Sequence, residues 1–245
     1  MKKVIIISSI LASLAGAHVG FGQTSAGVIR YEVKINLHRR LPPDREAMKD
    51  AIPEFNVHQE ELFFNETASL YKPVEEDEDE FEADGGGMRM RFRRPQGEYY
   101  TDQATAASIV QQDIMGKKYL VQDSLLVLPW KLGAGTKTIL GYTCRQATYY
   151  NEARKQEIVA WYTDKLRPFL GPERFNSLPG GVLQVDVNGG ETVITAQQVV
   201  LRPLKKNELK APTGGERITQ AEFQKISHEQ MQRTGRGPGA PGSRP

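Results

Sequence analysis

Leu178-Pro179-Gly180-Gly181-Val182-Leu183-Gln184-Val185-Asp186-Val187-Asn188-Gly189 is the stretch whose reading decides the fold. Its Pro-Gly pair fixes one backbone angle and lets the next go positive, so the chain enters the following segment at a set angle. That segment alternates apolar Leu183, Val185 and Val187 with Gln184 and Asp186, the period of a half-buried strand. Asn188-Gly189 then predicts a hairpin, because both central residues of a type I′ turn need positive φ. The returning strand is Thr192 to Leu201.

The same pattern recurs on either side. Thr105 to Ile114 and Lys117 to Val127 make a hairpin around Met115-Gly116-Lys117, with its exit at Pro129-Trp130. Thr138 to Tyr150 reads as one strand, paired with Glu157 to Thr163 across a polar loop at 151–156. Near the start, Ile29, Tyr31, Val33, Ile35 and Leu37 alternate with polar residues until Pro42-Pro43-Asp44 stops the strand. Asp44 caps a short helical piece from Arg45 to Ile52. Phe55 to Asn65 and Ala68 to Lys72 are the next two strands. Successive hairpins without intervening helices call for an antiparallel sheet, since parallel pairs need long crossovers. The expected fold is therefore mainly β: a curved antiparallel meander sheet, half-open and barrel-like, with one or two short helices.

The ends and one insertion stand apart from this domain, which spans 23–210. Met1-Lys2-Lys3, an apolar run from Val4 to Ala15 and small residues beyond it match a signal peptide over 1–22, with cleavage after Ala17 or Gly22. The run is shorter than the roughly 20 residues that a spanning helix needs, so no membrane span is expected after signal removal. Residues 73–97 hold an acidic block, Glu75 to Glu80, then Gly85-Gly86-Gly87 and a basic block, Met88 to Arg94. Opposite charges joined by a glycine hinge predict a flexible insertion that folds back on itself. From 211 to 245 the chain is a tail. Its Thr219-Gln220-Ala221-Glu222 is a capping-box pattern opening a short helix to about Gln232, and 235–245 is Gly/Pro/Arg-rich and expected to be disordered.

Charge and motifs exclude several function classes. The chain has 32 basic and 30 acidic residues; losing Lys2 and Lys3 with the signal leaves 30 against 30, so nothing in the balance points to nucleic acid. Cys144 is the only cysteine, which rules out an intrachain disulfide and predicts a buried thiol inside a strand. No zinc spacing, HExxH, P-loop or dinucleotide fingerprint is present, and the acidic block misses the calcium-loop spacing because Phe81 falls at a ligand position. His38 and His58 take solvent-facing phases of their strands. A carboxylate pair such as Asp164 with Glu173 could face across a cleft, but acids at this density are mostly surface groups. No catalytic residue, metal ligand or cofactor site is expected. The aromatic residues Trp130, Tyr142, Trp161 and Phe175 mark a candidate apolar face, either core or ligand-lining.

Taken together, Trp130-Lys131, Ile139 to Ala147, Ala160 to Thr163, Gly171-Pro172, Phe175 and Leu178-Pro179-Gly180-Gly181-Val182-Leu183 resemble the GLPGLI family of exported Bacteroidota proteins. The likeness covers most of 105–200. Ser177 stands where the name-giving motif has its first glycine, and Gly181-Val182 where it has leucine and isoleucine. The resemblance implies no catalytic residues, and it makes Leu178, Pro179, Gly180 and Gly181 a structural motif. Together with the signal peptide it implies a place in the periplasm, at the outer membrane or outside the cell, and members commonly appear beside components of outer-membrane uptake systems, which points to a partner there. The expectation is a non-catalytic envelope protein binding an outer-membrane protein or an apolar small ligand. The alternatives are a periplasmic lipid carrier and a hydrolase with an unrecognised site.

Overall fold

A computed structural model describes residues 25–74, 82–85, 88–91 and 97–233. The signal peptide, most of the acidic block and the Gly/Pro/Arg-rich end lie outside the described residues.

Strand β1 (Gly27–Asn36) is the keystone. Ile29, Tyr31, Val33 and Ile35 are buried while Arg30 and Lys34 are exposed, as the alternation requires. On one side β1 pairs with β2 (Phe55–Phe64), which leads through β3 (Ala68–Pro73), β6 (Gly97–Asp102) and β7 (Ala107–Ile114) to β8 (Lys117–Ser124). On its other side lies β13 (Thr192–Leu201), which leads back through β12 (Gly181–Val187), β11 (Gln156–Thr163) and β10 (Tyr142–Asn151) to β9 (Lys131–Ile139). The two wings are antiparallel meanders joined at their common centre, and the sheet does not close. Short β14 (Glu216–Thr219) adds to β8 in parallel and ends that side of the sheet. Helix α1 (Gln220–Arg233) follows directly, with Phe223 edge-on to Tyr119 of β8. The capping box is formed: Glu222 accepts from the Thr219 amide at 2.7 Å, and Thr219 Oγ1 accepts from the Glu222 amide at 3.2 Å. Among the described residues, no helix is long and apolar enough to cross a membrane.

Four readings from the sequence need correction. Residues 138–150 are not one strand: Leu140-Gly141 takes φ of 51° and 80° and turns the chain between the paired Ile139 and Tyr142. Strand β6 has no counterpart in the sequence reading: it starts where the charged insertion ends, at Gly97, and its Tyr99 and Tyr100 pair with Tyr71 and Leu70. The helical piece near Asp44 is 3₁₀, over Pro43–Ala51. The Asn188-Gly189 turn has both positive φ values but belongs to a four-residue loop, since Val187 pairs with Thr192. In the described part of the insertion, β4 (Glu82–Gly85) pairs with β5 (Met88–Arg91) as a separate ribbon whose register sets Glu82 opposite Arg91 and Asp84 opposite Arg89.

The core is completed by a connection. Between the paired strands β11 and β12 the chain takes a loop of seventeen residues, 164–180, that reaches across the inner face toward the other wing and returns. Leu166, Leu170 and Leu178 are buried in the same cluster as Ile29 and Tyr31 of β1 and Leu62 and Phe64 of β2. Each such leucine contributes roughly 2 kcal/mol relative to an exposed one. The segment is tied to the far wing by polar bonds. Arg167 Nη2 donates to the Ala68 carbonyl at 2.8 Å, and Gln103 Nε2 donates to the Pro168 carbonyl at 3.0 Å.

Candidate functional site

The family-like motif anchors this crossing segment. A Cβ on Gly180 would lie 2.1 Å from the Thr163 carbonyl oxygen, and one on Gly181 would lie 2.6 Å from Leu166 Cβ. The sequence suggests a positive φ for the first glycine, but neither has one. Close backbone approach is what requires them. Leu178 is buried and its carbonyl accepts from the Phe169 amide at 3.0 Å, while Pro179 is exposed. Ser177, at the position where the family motif begins with glycine, accepts from the Leu128 amide at 2.9 Å and from Trp130 Nε1 at 3.1 Å. It therefore pins the Leu125–Trp130 passage from β8 to β9 onto the crossing segment.

The four aromatics Trp130, Tyr142, Trp161 and Phe175 are all partly buried and packed against the core cluster. Trp130 packs edge-on against Tyr149, with ring centroids 5.8 Å apart, and together with Tyr142 and Phe175 borders the core. Trp161 has Gln146 and Gln184 as register partners. The Lys137 ammonium lies 4.2 Å above its ring. Cys144 is buried as expected, its thiol donating to the Tyr142 carbonyl, and burial raises its pKa.

The inner face is not filled everywhere. A cavity of about 240 Å³ remains near the sheet centre, bounded by β1, β2, β6, β7, β13, the crossing segment and Phe223 of α1. Charged groups converge on it. His58 and Glu60 of β2 are both buried, with His58 Nε2 3.3 Å from Glu60 Oε1 and His58 Nδ1 3.3 Å from Asn56 Oδ1. The solvent-facing phase expected for His58 is thus inverted: Val57 is exposed and the His58, Glu60, Leu62, Phe64 set faces inward. Glu173 enters from the crossing segment with φ of 47°. Protein surrounds it, but its side chain keeps contact with the cavity. Burial, and then the Glu60 carboxyl, push Glu173 up from 4.5 to about 7, against the pull of Arg154, Arg174 and His58. Tyr71, with its hydroxyl buried beside Glu60, is raised first by burial and then by Glu60 and Glu173. Asp164 does not face Glu173; it is exposed, 3.6 Å from Arg145. Sequence reasoning missed Glu60 as the acidic partner, because only the fold brings β2 under 164–180. No group of three or more histidine, cysteine or acidic side chains among the described residues is disposed to hold a metal.

A second feature lies at the margin. Strand β9 is the end of the sheet, so one side of its nine residues carries backbone groups that no strand among the described residues pairs. Its middle is Gly133-Ala134-Gly135, which has no bulky side chain to shield that edge. Leu126, Val127, Leu132 and Leu140 are 50%, 65%, 62% and 46% exposed. They are four of the nine exposed large hydrophobic residues among the described residues, all within fifteen positions, so much of the described apolar surface lies here.

These features define the class: an unclosed, mainly antiparallel β-sheet protein with its inner face covered in part by its own segment 164–180. No family model matches the chain, and no curated protein does. Two crystal forms of PNGF-II, in space groups C2 and P21, are similar in structure, with TM-scores of 0.54 and 0.53 and 15% sequence identity. The likeness covers 82% of this chain but 32% and 33% of theirs, so this chain spans about a third of that protein's length. At that identity the likeness is one of fold.

Proposed function

We propose that this chain is an exported, non-catalytic binding module of the cell envelope that holds a protein partner along β9. The observation that carries the reading is the free edge itself. It is a nine-residue strand end flanked by exposed Leu126, Val127, Leu132 and Leu140, without the proline or short length that usually blunt such edges. An extended partner segment adding to β9 would gain main-chain hydrogen bonds from the edge and side-chain contacts from the leucines. The packing of Leu166, Leu170 and Leu178 against the inner face favours this over an apolar-ligand carrier, which needs room there. The signal-like residues 1–22 and the resemblance to the GLPGLI family support export and an outer-membrane partner.

Affinity capture from the native envelope tests the reading. Ala134 has no register partner in β10, so Ala134→Pro would alter the free edge with least damage to the β9–β10 pairing. A single envelope protein held by the wild type and lost by a folded Ala134→Pro variant is the expected result. Equal retention by both would sink the edge-docking account.

One observation favours a second reading. Glu173, placed near pH 7 beside Glu60 and His58, is suited to acid–base chemistry in a hydrolase. Turnover of fluorogenic ester, amide or glycoside substrates that disappears in Glu173→Gln would favour it.

A further inference from the structure

We propose that the strand held along β9 is acidic at its ends and apolar in its middle; the inference rests on the edge-docking reading above and names the chemistry of the occupant. The charge at this edge is one-sided. From Leu125 to Asn151, which takes in the passage from β8 together with β9 and β10, the chain carries Lys131, Lys137 and Arg145 and no aspartate or glutamate, although 30 of its 245 residues are acidic. Lys131 is exposed, and no carboxylate among the described residues pairs with it. Arg145, the register partner of Thr136 in β9, has Asp164 at 3.6 Å, with both side chains more than half exposed. Lys137 donates to the Gln184 side chain and lies over the Trp161 ring, both neutral. Burial lowers its pKa by more than Cys144 and Asp186 raise it, so its charge is not fully compensated. Positive charge is left at both ends of the edge.

Spacing turns this charge into a recognition pattern. Lys131 opens β9 and Lys137 lies near its close, at most about 20 Å away at roughly 3.3 Å per residue of strand. Between them Gly133-Ala134-Gly135 offers nearly bare backbone, and Leu126, Val127, Leu132 and Leu140 offer exposed apolar surface around it. An extended segment that bonds through its main chain in the middle, covers the leucines and carries a carboxylate near each end meets all of these features. The same spacing argues against a second copy of this chain. Two β9 strands paired antiparallel about Ala134 would set Lys131 of each opposite Lys137 of the other, and like charges directly opposite destabilise a strand pair.

Fluorescence anisotropy on the mature chain tests this with labelled peptides of β9's own length that share an alternating valine–threonine core and end on both sides in a pair of glutamates, serines or lysines. The glutamate-ended peptide should bind at least tenfold tighter than the serine-ended one, and the lysine-ended one should bind weakest. Raised salt should narrow these differences. Lys131→Glu and Arg145→Glu should each weaken the glutamate-ended peptide at least threefold and strengthen the lysine-ended one. Ala134→Pro should lose every peptide, which reports on the edge itself. Equal affinity for the three peptides, still abolished by Ala134→Pro, would overturn the acidic preference and leave edge docking in place. Binding of no peptide, or binding that a folded Ala134→Pro variant retains, would overturn both. A wild-type dimer in sedimentation that Ala134→Pro dissolves would assign the edge to a second copy instead.

Discussion

The Tyr31 hydroxyl donates to the Val182 carbonyl at 2.6 Å, from the central strand β1 across β13 to the start of β12. That carbonyl needs a partner because the β11–β12 register shifts between Trp161 and Tyr162, where Leu183 is the extra residue. One side chain thus joins the keystone strand to the exit of the crossing segment. Burial holds the Tyr31 proton firmly by raising its pKa. Tyr31→Phe removes the donor and leaves a buried acceptor unmet, which should cost about 1–3 kcal/mol. A urea titration should show a lower midpoint with an unchanged slope.

Gly180 should tolerate no side chain. An added Cβ would meet the Thr163 carbonyl at 2.1 Å, and backbone cannot swing aside as a side chain can. Gly180→Ala should destabilise by about 3 kcal/mol, the upper end for forced overpacking. Gly214→Ala is the control, since nothing lies within 4 Å and its φ is not positive. Thermal melts should separate the two clearly.

Ser177→Ala removes the acceptor shared by the Leu128 amide and Trp130 Nε1. The expected cost is about 1–2 kcal/mol, with altered tryptophan fluorescence as the Trp130 side chain loses its anchor. Unchanged stability and emission would mean that the passage from β8 to β9 is held by packing alone.

Glu173 makes stability depend on pH in a stated direction. Its value is raised in the folded state from 4.5 to about 7, so the folded chain binds the proton more tightly than the unfolded one. Its destabilising contribution is absent below about pH 4.5, grows through the window up to pH 7 and is complete above it. The shift corresponds to on the order of 3 kcal/mol. Glu173→Gln should therefore be more stable than the wild type at pH 8, and the two should converge near pH 4.5. Denaturant titrations at both pH values measure the difference.

Much of the fold was legible because alternation and turn chemistry are local. The β1 pattern, the β7–β8 turn at Met115-Gly116 and the capping box at Thr219 all appear where their residues predict. The break at Leu140-Gly141 was hidden because leucine rarely takes a positive φ, leaving the single glycine as the only signal. The site was less legible for a related reason. On β2, Val57 suggests the inward phase, yet the inward residues there are His58 and Glu60, because the inner face is polar where the cavity lies. No local pattern announces that Glu173, more than a hundred positions later, will cover them. The free edge at β9 depends on which strands pair, and only the assembled sheet reveals it.

Site-specific photocrosslinking in living cells tests the partner reading most directly. A photoreactive residue at Ala134, on the exposed edge of β9, is compared with one at Met115, which is exposed in the β7–β8 turn on the other wing. One discrete adduct with an envelope protein at 134 and none at 115 is the predicted result. No adduct at 134, or the same adduct from both positions, would contradict it.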